Sequence, residues 1–459
     1  MIHQNSESDA MQRVKALAEA DKNLVFNNIM HLATPKLYFE CFYKLNRDAA
    51  PGVDDVTWEE YVKNQLTKSL LQLRKAMLSG RYRALPAKRV YIPKPDGGQR
   101  PLGIVALEDK LAQTVVKEIL EAVYEPIFKD FSFGFRPNRN AHQAIDEVSV
   151  CIMRQRVIWI LDADIKGYFD SIPHDLLVSY IGRRVSDPKI IRLIRRWLKA
   201  GVLENGKLTH SVEGTPQGAS ISPLLANIYL HYVLDEWADE WRKSCKGYMF
   251  IVRYADDFIL GFECKSEAER FLEDLKERLR ANGLELSPEK TRLINFGEPA
   301  LRYRETHGLP KPETFDFLGF KHICARNKDG YFKVLRKTIS KRLRRKTQEL
   351  KGFLRSMMHV DVKMTLMSLN RRLQGYFVYF ASPDNLSTLS TMRFHLLRFW
   401  RKMIGRRSQR GYRSKEFKDF YADIAPLIVM PHEFVRSYPD AITIETILNG
   451  ANAKLRAGC

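Results

Sequence analysis

The sequence predicts an α+β protein in which a sheet-bearing middle is followed by a basic, all-helical segment. Three observations carry this. Apolar runs of strand length alternate with helix-period segments between about residues 81 and 335, and after about Thr338 only the helical pattern remains. The charge is also unevenly placed: between Arg336 and Phe420 there are 22 Lys/Arg against five acids, so +17 of the chain's +21 lies in 85 residues. A regional excess of that size favours contact with a polyanion over a merely solvated surface, and nucleic acid is the first such partner.

A chain of 459 residues can bury two or three cores. The pattern divides it into a helical extension (1–80), an α/β body (81–335), a basic helical part (336–420) and a tail of unknown role (421–459). No apolar run approaches the ~20 residues of a membrane span. The N-terminal segment lacks the apolar core of an export signal, so no membrane and a cytoplasmic location are expected. Six scattered cysteines, without a CxxC pair or a His cluster at zinc-ligand spacing, read as reduced thiols.

Taken in order, residues 1 to about 80 read as helices broken at Ala50-Pro51-Gly52. Lys88 to Pro93 reads as a strand that turns at Pro95-Asp96-Gly97-Gly98 and returns through Arg100-Pro101-Leu102, making a basic hairpin. From Leu107 to Phe128 apolar residues recur at three and four, as on one helix face. Val157 to Asp164 is a buried strand, Ser222-Pro223 opens a helix running through Trp237, and Tyr248 to Phe262 gives two strands joined around Ala255-Asp256-Asp257.

The chemistry concentrates at two strand ends. One acidic strand end, such as Asp162-Ala163-Asp164, is ordinarily a solvated turn or a cap. Two consecutive acids between apolar strands, Asp256-Asp257, are different, because like charges repel and such turns prefer Asn-Gly or Asp-Gly. Both can address one point only if the backbone turns there, as at a hairpin tip. Three converging carboxylates need cations, and two Mg²⁺ ions with oxygen ligands suit phosphoryl transfer.

The ordered segments RYRALPAKRVYIPKPDGGQRPLGI (81–104), FSFGFRPNRNAHQAI (131–145), ILDADIKGYFDSIPHDLL (160–177), GTPQGASISPLLANIYL (214–230), RYADDFILGF (253–262), LSPEKTRLINF (286–296) and FDFLGF (315–320) resemble bacterial group II intron-encoded reverse transcriptases, from about residue 30 to 420. The resemblance implies a right-hand polymerase, with fingers and a mixed or antiparallel palm sheet followed by an α-helical thumb and maturase X domain. It implies RNA-directed DNA synthesis with two Mg²⁺ ions, or Mn²⁺ as a substitute. The implied partners are an RNA template, a DNA or RNA primer, dNTPs, a structured group II intron RNA and a DNA target.

Carried over residue by residue, Asp164, Asp256 and Asp257 match the metal ligands, with the backbone carbonyl of Ile165 assisting. Asp162 and Asp170 are expected to cap or solvate instead. Lys94 and Arg100 match cations that clamp the triphosphate. Phe169 matches the aromatic that excludes a 2′-hydroxyl, and Gln217 the glutamine near the nascent base pair, although Ala219 stands where many relatives have a second Gly. Lys290 matches a lysine that protonates pyrophosphate, and Phe317-Leu318-Gly319 the primer grip. Nothing after residue 420 resembles the HNH endonuclease of many relatives. Two other readings remain open: a domesticated polymerase in DNA repair or antiphage defence, and an RNA-binding maturase without synthesis.

Overall fold

A computed structural model of the chain describes residues 4–93, 98–209, 213–216 and 218–408. Lys94, Gln217 and the 421–459 tail lie outside the described residues. The first eighty residues contain helices Gln4–Ala20, Pro35–Lys44, Trp58–Lys63 and Leu66–Ser79. Thr57 starts the third with a capping box: its hydroxyl accepts from the Glu60 amide, and the Glu60 carboxylate accepts from the Thr57 amide.

The basic hairpin follows as β1 (Ala87–Pro93) and β2 (Gln99–Ile104), antiparallel, with Arg100 opposite Ile92. The amphipathic helix runs Leu107–Tyr124, a second helix Ala141–Arg154, and then comes β3 (Trp159–Asp164). Helices His174–Gly182 and Pro188–Lys199 and the short hairpin β4 (Val202–Glu204) and β5 (Lys207–Thr209) add to what the pattern predicts. Because β4 pairs in parallel with β1, the sheet β2-β1-β4-β5 is mixed.

The helix expected from Ser222 through Trp237 reaches Trp241, but a π-helical turn at His231–Asp235 interrupts it. After it come β6 (Met249–Tyr254), β7 (Asp257–Phe262), helix Lys265–Arg280, β8 (Arg292–Asn295), and a three-stranded sheet of β9 (Phe315–Phe317), β10 (Phe320–Arg326) and β11 (Phe332–Thr338). Helices Ser340–Ser356, Val362–Phe380 and Leu386–Ser408 complete the described chain. Residue 335, where the pattern changes, falls inside β11, which pairs with β10 along its whole length. The basic helices therefore grow directly out of a sheet.

The central sheet, β6-β7-β3-β8, is antiparallel throughout. Alternate strand residues point to opposite faces, and both faces are buried. Leu161, Ala163, Met249, Ile251, Phe258, Leu260 and Phe262 enter a core shared with the N-terminal helices and with Leu107–Tyr124, Ser222–Trp241 and Lys265–Arg280. Ile160, Phe250, Val252, Ile259 and Ile294 enter a second core with Ala141–Arg154, β9 to β11 and the three basic helices. At roughly 25 cal/mol per Å² of apolar area, these two layers are what hold the sheet's carboxylate-bearing edge in place. Among the described residues, no helix is long and apolar enough to cross a membrane.

Candidate active site

Asp164 ends β3 and Asp257 begins β7, and the ladder sets the two directly opposite each other. Tyr254 pairs with Asp257, leaving Ala255 and Asp256 as the hairpin's two-residue turn. Ala255 has φ of 58°, a left-handed conformation that an alanine rarely adopts. This turn lets neighbouring Asp256 and Asp257 face one cleft, of about 830 Å³, together with Asp164 and Ile165.

Arg100 from the β1–β2 hairpin lines the same cleft, as do Phe169, Lys290 and Leu318. Phe169 sits on the short helix Tyr168–Ser171, its ring edge-on to Tyr168. Lys290 donates from Nζ to Asp164 Oδ2 at 2.8 Å, and this bond raises the lysine's pKa. Phe317 is buried in the second core, and Leu318 and Gly319 form the tip between β9 and β10. Asp162 is held by Arg292 Nη2 at 3.1 Å, and Asp170 lies exposed at the rim.

Electrostatically the cleft is acidic beyond what its cations offset. Burial, followed by the charges of Asp162, Asp256 and Asp164, pushes the Asp257 carboxyl up to about 7. Burial and Asp164 likewise raise Asp256, against the opposing pull of Arg100 and Lys290. Burial also raises Asp162, opposed by Arg292. A site that makes ionisation this costly fits divalent cations with oxygen donors. Among the described residues no group of three or more His, Cys, Asp or Glu side chains is arranged to hold a metal ion.

The most constrained group near the cleft is one the motifs do not single out. Arg253, fully buried on β6, uses all five of its N–H donors. Nε and Nη2 grip Asp235, Nη1 donates to Asn227 Oδ1 and to the Ala255 carbonyl, both at 3.0 Å, and Nη2 reaches Ser132 Oγ at 2.8 Å. Asp235 lies at the end of the π-helical turn, a kind of helix irregularity frequent at functional sites. Phe131 and Phe133 hydrogen-bond the backbone of Arg253 from the other side, bringing Gly134 against the turn. A Cβ on Gly134 would stand 2.4 Å from the Ala255 amide nitrogen, so only glycine fits this close approach. The sequence holds one signal for this brace: an arginine in the otherwise apolar run Met249 to Tyr254 must find a carboxylate when buried.

An antiparallel sheet packed between helices, with a clustered carboxylate edge, is the plan of a nucleic-acid polymerase body, and the family comparison agrees. A family model described as reverse transcriptase (RNA-dependent DNA polymerase) matches residues 92–322, half of the chain, and the protein belongs to that family. It is an enzyme, an RNA-directed DNA polymerase whose family works on nucleic-acid templates and primers with divalent metal ions.

More particularly, its kin include group II intron-encoded proteins. It is 38% identical to group II intron-encoded protein LtrA of Lactococcus lactis over 226 residues, 48% of this chain and 37% of that one. It is 31% identical to Protein YkfC of Escherichia coli over 365 residues, 72% of this chain and 91% of YkfC. An uncharacterized 91 kDa protein in the cob intron of Schizosaccharomyces pombe is 28% identical over 411 residues, 76% of this chain and 50% of that protein. The chain thus spans most of YkfC but half or less of the other two.

Proposed function

We propose that the cleft is the polymerase centre of a right-hand enzyme, with the β1–β2 hairpin as fingers, the β6-β7-β3-β8 sheet as palm and the basic helices as thumb and X domain. The observation that carries this reading is the convergence of Asp164, Asp256 and Asp257 on one cleft with Arg100, Phe169 and Lys290 around it. The three carboxylates, with the Ile165 carbonyl, would hold two Mg²⁺ ions. When bound, these ions supply activation of the primer 3′-hydroxyl and charge stabilisation of the leaving pyrophosphate.

The chain's own groups do the rest. Arg100 donates to the triphosphate oxygens of the incoming dNTP. Phe169 fills the space that a ribose 2′-hydroxyl would need. Lys290, at the cleft's rim on Asp164, would be the acid that protonates pyrophosphate. The tip at Phe317, Leu318 and Gly319 steadies the primer. Exposed Lys341, Arg344 and Arg345 on helix Ser340–Ser356 contact phosphates of the template and primer. The same basic helices, with the kinship to intron-encoded proteins, support binding of a group II intron RNA that assists splicing and mobility.

Incorporation of dNTPs on an RNA template with a DNA primer, compared between wild type and Asp164→Ala, tests the centre. Synthesis lost in the variant is the expected result; equal synthesis would overturn the assignment. Splicing is tested separately, by asking whether the protein promotes excision of the RNA flanking its own reading frame at low Mg²⁺.

A further inference from the structure

The tip between β9 and β10 is held more tightly than a two-residue hairpin requires. Phe317 pairs with Phe320, and between them Leu318 and Gly319 have φ of 47° and 88°. Two successive left-handed residues make the turn that Asn-Gly favours, and a leucine is a poor choice for its first position. Backbone strain of this kind persists only where the surroundings over-determine it.

Here they do so from the basic helices. The Leu318 carbonyl accepts from the Tyr379 hydroxyl at 2.8 Å. This bond grips the peptide unit between the two left-handed residues, while Leu318 itself lines the cleft with Asp257. Gly319 closes the tip against the basic helices, where a Cβ would come within 3.0 Å of Arg342 and 3.3 Å of the Phe380 ring. Tyr379 is itself fixed, since its carbonyl is hydrogen-bonded with His142 Nε2 at 2.8 Å.

Tyr379 belongs to helix Val362–Phe380 and Asp257 to β7, yet Leu318, which Tyr379 holds, lines the same cleft as Asp257. We propose that Tyr379 is a positioning residue for the polymerase centre: by holding the Leu318 carbonyl it fixes the strained tip that lines the cleft with Asp257, so that the seating of the basic helices is felt at the carboxylates. It touches no reacting group. This role rests on Asp257 belonging to the polymerase centre, as proposed above.

The test is Tyr379→Phe, which removes one hydroxyl and keeps the ring, in the full-length protein on an RNA template with a DNA primer. Single-nucleotide incorporation should slow by about tenfold, the factor that a modest loss of transition-state alignment produces. The dNTP KM and the template–primer Kd should stay within about twofold, and amide exchange across residues 315–320 should accelerate. Tyr376→Phe on the same helix, whose buried hydroxyl has no hydrogen-bond partner among the described residues, should leave all four unchanged.

Wild-type turnover and exchange in Tyr379→Phe would overturn the role. So would a variant that loses thermal stability and template affinity together with rate, since that marks a hydroxyl needed only for folding. Asp257→Asn separates the two layers: if it polymerises normally, the reading of the centre fails whatever Tyr379 does.

Discussion

The two faces of the central sheet brace its carboxylate edge by different physics. On the face toward the N-terminal helices, Arg253 ties the Ala255–Asp256 turn to Asp235, Asn227 and Ser132 through a network in which every guanidinium donor is used. On the face toward the basic helices, one tyrosine hydroxyl and ring packing against Phe380 hold the Leu318 tip. A fully satisfied buried ion network is costly to break and has one geometry. A single neutral hydrogen bond nets only about 0.5–1.5 kcal/mol, so it can yield. The first brace is therefore the stronger of the two.

The difference can be broken first at Arg253. Asp235→Asn leaves a buried guanidinium without its counter-charge, and about 3–5 kcal/mol of stability should go, read from chemical denaturation midpoints. Replacing both partners by apolar residues, Arg253→Met with Asp235→Leu, should recover much of that stability but not synthesis, because the Ala255 carbonyl loses its donor. Recovery of full synthesis in the double variant would show that the network serves stability alone.

On the basic face the expected loss is in binding. Reversing Lys341, Arg344 and Arg345 to Glu together should weaken template–primer affinity and reduce the steepness of log Kd against log salt by about 2–3, at roughly 0.7–0.9 per phosphate contact. The unfolding midpoint should barely move, since all three are exposed. An unchanged salt slope would remove this helix from the nucleic-acid path.

The effect that is smallest at neutral pH, and grows only in acid, concerns His322. His322 on β10 is fully buried, stacked on Phe315 at 4.6 Å, and burial followed by the Arg336 charge holds its pKa down to about 3. The unfolded chain, with a His pKa near 6.5, binds the proton that the folded chain refuses, so this contribution is complete above pH 6.5 and is lost as pH falls toward 3. Below pH 6.5 the slope approaches about 1.4 kcal/mol per pH unit. His322→Leu should flatten that part of the acid limb, as followed by denaturation between pH 4 and 7.

Much of this was legible in the chain. The strands β3, β6 and β7 announced themselves by apolar runs ending in carboxylates, and the helix from Leu107 by its period. The π turn at His231–Asp235 was not, because it conserves the helical pattern on either side and only shifts its register. Arg253 and Asp235 lie 18 residues apart on different elements, so their pairing is a tertiary fact that an unmatched buried charge can suggest but not locate. Tyr379 gave no signal at all: in Leu369 to Phe380 it is one aromatic among several at helical spacing, and only the fold sets its hydroxyl on Leu318.

The central claim is that chemistry belongs to the carboxylate edge and nucleic-acid grip to the basic helices. Asp256→Ala tests it most directly, with template–primer Kd and dNTP incorporation measured on the same preparation. The account predicts a Kd within about twofold of wild type and incorporation reduced by 10³-fold or more, on the order of 4 kcal/mol in the barrier. Incorporation at the wild-type rate would contradict it.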